Sequence, residues 1–281
     1  DQEGVVVTGS ELVGLIPLEA LTSAGRHYLT RQGLNPGAPE SELIDTAIRS
    51  LGLSELNVFD PDERIIERRI ASDGDLVGLS LRDFTDLLSS SAPAPGGGSV
   101  AALCGAMATG LASMVGSLTT GKKGYEDQAQ AAVDMAVGAQ AAREAFLADV
   151  DADTAAFDGI MAAFGLPKST DEEKAQRRQA IQDATVRAIE VPLGVLERTV
   201  SVLDLVEVAL KGNENARSDA GVAALLCRTC AEGAFYNVLI NVKDLKDEQA
   251  VAGFTTRAHE AMDAVSQRVD VFTAAVREDL A

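Results

Sequence analysis

From Leu87 to Gly121 the chain carries no charged residue. A neutral segment of this length has two physical destinations, lipid or the interior of a protein. Pro93, Pro95 and the triplet Gly96-Gly97-Gly98 interrupt its first third, Ser and Thr are scattered through it, and bulky apolar residues are few. A membrane-spanning helix needs about 20 predominantly apolar residues. The segment therefore reads as a loop leading into an apolar helix that ends near Leu118. That helix is expected to be buried on all sides and to pack closely through small side chains. Such helices often lie at subunit interfaces. No membrane association is expected.

The rest of the chain supports a helical reading. Strand-like sequence is confined to residues 4–17, where β-branched residues and a second apolar run end at Pro17. Pro17-Leu18-Glu19 opens a helix through about Arg31, Asn35 to Pro39 is a loop, and Ser41 to Leu51 is a short helix stopped by Gly52. Residues 53–79 read as irregular. One strand region and two helices leave a sheet without partners. From Ser80 no strand pattern returns. Ser80 caps a short helix, and Tyr125 to Phe164 is a long one. Ser169 or Thr170 caps the next, which Pro192 interrupts before it resumes to Leu210. Helices from about Asn215 to Lys243 and from Glu248 to Leu280 follow. The organisation expected is 1–79 as a partial α/β piece and linker, and 80–281 as an all-helical domain. The first residue is Asp, as in a processed chain or a piece of a longer protein.

Charge and rare residues exclude several functions. Among 281 residues, 43 are acidic and 24 basic, for a net charge of −19. The acidity is distributed, with 14 acids against 6 bases in residues 1–79 and 29 against 18 in the remainder. Such a surface repels phosphate backbones, so no nucleic-acid partner is expected. Cys104, Cys227 and Cys230 cannot build a disulfide framework, which fits a reducing cytoplasm. The two histidines, His27 and His259, lie far from them in sequence, so no metal site is expected.

Four features could carry chemistry. At 100° per residue, Phe146, Val150, Phe157, Ile160 and Phe164 share one helix face, and Asp153 falls within it, while Asp149, Asp151 and Asp158 point away. A carboxylate at a core position is costly without partners, and desolvation raises its pKa toward the range useful for proton transfer. A structural carboxylate bridging to a neighbouring helix is the equal alternative. Gly96, Gly97, Gly98 and Ser99 precede a helix, whose N-terminal N–H groups attract carbonyl or anionic oxygens, although a flexible helix entry explains them as well. Lys122 and Lys123, followed by Tyr125, offer cations for a polyanion, or simple compensation of a helix dipole. A second basic group, Lys168, Lys174, Arg177 and Arg178, is interleaved with acids and reads as a solvated, salt-linked turn. Asp219 and Asn237 share a helix face, with Asn241 one turn beyond Asn237. Asn side chains both donate to and accept from heterocycles, and also bridge helices.

Taken together, these residues resemble the formiminotetrahydrofolate cyclodeaminase family. The resemblance rests on Ala92 to Ala102, Leu118 to Lys123, Val150 to Phe157, Leu166-Pro167-Lys168 and Asn237 to Asn241, in order over about residues 80–250. Thr8 to Leu18 and Glu63 to Glu67 resemble the end of a glutamate formiminotransferase, which precedes the cyclodeaminase in bifunctional enzymes. The family's acid/base Asp aligns on Asp153. The resemblance implies a lyase acting in histidine degradation and one-carbon metabolism. It would convert 5-formimidoyltetrahydrofolate to 5,10-methenyltetrahydrofolate and ammonia. Transferase activity is expected only of the full-length protein. The folate is substrate, and no tightly bound cofactor is expected. The resemblance further implies a homodimer or larger homo-oligomer with the site near its interface, and polyglutamylated folate as ligand. Gly96 to Ser99 with Lys122 and Lys123 are expected to hold the pterin or the glutamate tail, with Tyr125, Asp219, Asn237 and Asn241 as further contacts. A methenyltetrahydrofolate cyclohydrolase on the same scaffold and a non-catalytic helical assembly module are the alternatives.

Overall fold

A computed structural model describes residues 9–70 and 76–281. Ten α-helices occur among them: α1 Leu18–Arg31, α2 Glu40–Leu51, α3 Pro61–Arg64, α4 Ile66–Ile70, α5 Leu81–Leu88, α6 Gly97–Thr119, α7 Ala129–Phe164, α8 Asp171–Leu210, α9 Arg217–Asn241 and α10 Glu248–Asp279. The ends follow local chemistry. Ser80 Oγ accepts the Asp83 N–H and starts α5. Thr170 and Glu173 form a reciprocal capping box at the start of α8. Gly52 closes α2 in the left-handed region, at φ 63°.

Helix α6 is the centre of the bundle. It is long and apolar enough to cross a membrane, yet two-thirds of its most apolar stretch is covered by protein. It packs on α7, α8 and α9, and α10 closes against α8 and α9. Small residues permit the close approach: a Cβ on Gly105 would stand 2.7 Å from the Phe146 ring. Around this axis Phe146, Ile189, Leu193, Leu196, Leu203 and Val206 are fully buried. Cys227 and Cys230 are buried there too, and burial pushes both thiols well up, so they act as packing groups.

Three expectations change. The strand region at residues 4–17 lies partly outside the described residues. Within residues 9–17 the pairing reduces to one parallel bridge, Ile16 with Ile65, and the start of the segment is tied instead by single bonds such as the Ser10 N–H to the Gly52 carbonyl at 3.1 Å. Residues 53–79 are not wholly irregular, since α3 and α4 form there. Pro192 does not interrupt α8. A proline removes one N–H and frees the carbonyl four residues earlier; that carbonyl, on Ala188, accepts the Asn241 amide at 2.7 Å.

The first part has a small core of its own, built on Leu21, Ile44, Ala47, Phe59 and Ile65. The loop from Asn35 to Pro39 anchors it to the bundle. Asn35 donates to Thr120 Oγ1 at 3.0 Å, and Ser113 Oγ donates to the Gly37 carbonyl at 2.9 Å. Gly37 lies so close to α7 that a Cβ would sit 2.4 Å from the Ala136 carbonyl carbon.

Candidate active site

Asp153 projects from the middle of α7 toward the first turn of α6. Its Oδ2 accepts the Ser99 N–H at 2.9 Å. The Ser99 hydroxyl lies 3.3 Å from the same oxygen and 2.9 Å from the Val150 carbonyl, so its single hydrogen favours Val150. One firm bond and one weak one therefore hold Oδ2, while Oδ1 has no protein partner among the described residues. Oδ1 lies over the bare Cα of Gly98, where a Cβ would be only 2.0 Å away. Desolvation raises the Asp153 pKa above the usual carboxylate value, and the two Ser99 contacts offset this only in part.

The carboxyl group opens into a cavity of about 200 Å³. Gly96, Gly97 and Gly98 line it together with Phe157 and Ile160, and Asn237, beside Gly97, and Asn241 complete the lining. Gly96 is the N-cap of α6 and supplies no side-chain cap, so the Gly97 and Gly98 N–H groups are left for a ligand. Asn237 donates its amide to the Gly233 carbonyl at 2.8 Å and Asn241 donates to Ala188. A carbonyl can only accept, so each amide nitrogen is fixed and each amide oxygen is left as an acceptor. The cavity thus offers N–H donors, amide acceptors and one carboxyl of raised pKa.

Not all the residues singled out from sequence meet here. Gly96, Gly97, Gly98, Ser99, Asp153, Asn237 and Asn241 converge. Lys122, Lys123 and Tyr125 follow the far end of α6, about 33 Å from Gly97 at the helical rise of 1.5 Å per residue. Asp219 is at that far end too, because α9 runs antiparallel to α6: Asn237 meets Gly97, while Asn213, just before α9, bonds Thr119. Within one chain these four residues lie outside the cavity, contrary to expectation. Lys122 donates to Asn213 Oδ1 and packs over the Tyr125 ring, and Tyr125 accepts the Glu214 N–H. They form a polar corner of the bundle.

The neighbouring acids are also engaged. Asp149 is not solvated but half-buried and ion-paired with Arg198 at 3.1 Å, and Asp151 accepts the Leu76 N–H at 2.6 Å. Burial raises the Asp149 pKa, and Arg198 pulls it back down. The apolar stripe around Asp153 is core only as far as Val150. Beyond it Phe157 and Ile160 become cavity wall and Phe164 is 49% exposed. Ala188, at the back of the cavity, has no polar side chain and gives no sequence signal.

The profile of the formiminotransferase-cyclodeaminase family matches residues 80–260, and that of the formiminotransferase domain matches residues 1–71. The chain belongs to the formiminotransferase-cyclodeaminase family. The mouse formimidoyltransferase-cyclodeaminase is 38% identical over 275 residues, 96% of this chain and 50% of that protein. The chain thus spans about half the length of the curated relatives of that name. A methenyltetrahydrofolate cyclohydrolase from Methylorubrum extorquens is 45% identical over 172 residues, covering 60% of this chain and 81% of the relative. Among solved structures, the formiminotetrahydrofolate cyclodeaminase of Thermotoga maritima superposes with a TM-score of 0.61 at 32% identity, over 73% of this chain and 98% of that one.

Proposed function

We propose that this chain is a formimidoyltetrahydrofolate cyclodeaminase in which Asp153 moves the proton. The observation that carries the reading is the state of that carboxyl: pinned at Oδ2, open at Oδ1, and raised in pKa by burial. Ring closure requires N10 of the folate to attack the amidine carbon on N5. N10 must lose its proton and the departing nitrogen must gain one. Asp153 Oδ1 takes the N10 proton as the new C–N bond forms. It then returns that proton to the amino group, the C–N bond to this group breaks, and ammonia leaves. The methenyl bridge keeps the positive charge of the starting amidinium, and the carboxylate is restored. A single acid/base group on one face serves both transfers. The Asn237 and Asn241 oxygens suit the N–H groups of a pterin, and the Gly97 and Gly98 N–H groups suit its carbonyl oxygen.

The test is ammonia release with methenyl absorbance on chemically prepared 5-formimidoyltetrahydrofolate. Asp153→Asn should lower kcat at least 100-fold, within the range of about 10²–10⁴ that general acid–base catalysis contributes. Near-normal turnover by the variant would remove Asp153 from the mechanism.

The relative from Methylorubrum favours one other reaction on the same scaffold, attack of water on the methenyl carbon. The formiminotransferase match at residues 1–71 weighs toward the cyclodeaminase. Loss of methenyl absorbance on incubation with 5,10-methenyltetrahydrofolate, without ammonia release from the formimidoyl substrate, would decide for the hydrolase. The wider setting follows from the proposal: polyglutamylated folates, histidine degradation, and the cytoplasm, where the three free cysteines stay reduced. A homo-oligomer is supported by an unpartnered apolar stripe on α6, where Met107, Met114 and Leu118 share a face and are 38–48% exposed.

A further inference from the structure

A second cavity of about 240 Å³ adjoins the first and shares Ile160 and Asn241 with it. Its floor is apolar, with Phe164 and Ile181 beside Ile160, and its rim carries Arg178 and Lys246. We propose that this groove seats the aminobenzoyl-glutamate arm of the folate, with Arg178 and Lys246 taking the glutamate carboxylates.

The shape and the order of groups fit. Counted along α7, Phe164 lies eleven residues, or about 16 Å, beyond Asp153; along α8, Arg178 lies ten residues, or about 15 Å, before Ala188. Both helices thus lead from the reacting carboxyl through an aromatic-sized apolar slot to a cationic rim. A ligand with its reacting nitrogens at Asp153 must next present an aryl ring and then carboxylates, which is the sequence of groups in a folate arm.

The two cations are free to serve. Most arginines on the bundle are committed: Arg198, Arg217, Arg228, Arg257 and Arg268 are all in ion pairs. On the same turn of α8, Lys174 pairs with Asp171, and Arg177 donates to the Phe164 carbonyl. Arg178 and Lys246 have no acidic partner among the described residues, in a chain with 19 more acids than bases. Reading residues 168–178 as a uniformly solvated, salt-linked turn misses this difference. Asp244 is the single acid in the lining, against two cations. Lys246 is held in place by Gln182, which accepts the Lys246 N–H at 2.8 Å and donates to the Asp244 carbonyl at 3.1 Å. The net negative charge of the chain repels a carboxylate tail, and Arg178 and Lys246 offset that repulsion at this groove.

This inference rests on the folate reading of the first cavity, and the experiment separates the two. Wild type and the Arg178→Ala/Lys246→Ala variant are compared on 5-formimidoyltetrahydrofolate. They are also compared on its counterpart with a p-toluidine ring in place of aminobenzoylglutamate, which keeps N10 and has no carboxylate. The variant should raise KM about tenfold for the folate at unchanged kcat, with the difference shrinking as salt is added, and should leave the toluidine substrate unaffected. An unchanged KM for the folate, or an equal rise for both substrates, overturns the arm site while leaving the cyclodeaminase reading intact. Calorimetric titration with p-aminobenzoyl-L-glutamate alone needs no turnover. Binding by wild type that the variant loses supports the arm site even if neither substrate is cyclised, in which case only the cyclodeaminase reading falls.

Discussion

Gly98→Ala is the sharpest probe of the site, because one methyl group meets the reacting carboxyl directly. The added Cβ would stand 2.0 Å from Asp153 Oδ1, 2.4 Å from Cγ and 2.6 Å from Oδ2. Ordinary carbon–oxygen contact needs more than 3 Å, so the carboxyl must move by about 1 Å or more. It is held by the 2.9 Å bond from the Ser99 N–H, which such a shift breaks. A hydrogen bond to a charged group is worth about 1.5–3 kcal/mol, and overpacking adds about 1–3 kcal/mol. Alanine's better helix propensity returns about 1 kcal/mol. The net loss is roughly 1.5–5 kcal/mol of stability, the sum of those three terms. The effect on rate is larger than on folding, because a displacement of about 1 Å at a reacting group costs on the order of 100-fold. The assay is ammonia release under saturating substrate, with a thermal melt on the same preparation. Gly253→Ala in α10 is the control, since a Cβ there meets nothing within 4 Å. A Gly98→Ala enzyme within twofold of wild type would refute the placement of Asp153 over Gly98.

Asp153→Asn should melt higher than wild type at pH 7 and together with it near pH 4. A carboxyl with a raised folded pKa loses stability as pH climbs from its unfolded value through its folded one, and the amide does not; equal melting differences at both pH values would contradict this. In kcat/KM against pH, the acid limb should lie above the ordinary carboxylate range, because the attacking step needs Asp153 ionised, and the Asp153→Asn residual activity should lack that limb. Asn241→Ala should lower stability by about 1–3 kcal/mol in denaturant unfolding, since it orphans the Ala188 carbonyl beneath Pro192. Met107→Asp should shift the protein to a smaller species in light scattering, and an unchanged mass would exclude that stripe as the contact between copies.

The sequence by itself determined the longer helices, though not α3 and α4, and the azimuth of their residues. Ser80, Thr170 with Glu173, and Gly52 mark helix ends through local hydrogen bonds and backbone freedom, which need no tertiary information. The neutral run after Leu87 identified the buried central helix, and a 100° step per residue placed Asp153 on the apolar face of α7. Only the tertiary structure decided position along the bundle and the choice of neighbour. Periodicity says which way a side chain faces but not which end of another helix it meets. Asp219 and Asn237 share a face of α9, yet the antiparallel packing on α6 sends one to the Lys122 corner and the other to Gly97. Pro192 looked like a break because the acceptor it frees is satisfied from α9, by Asn241, which is remote in sequence. Arg178 looked like its neighbours because ion pairing depends on distances between side chains. The order of residues in a turn does not contain those distances.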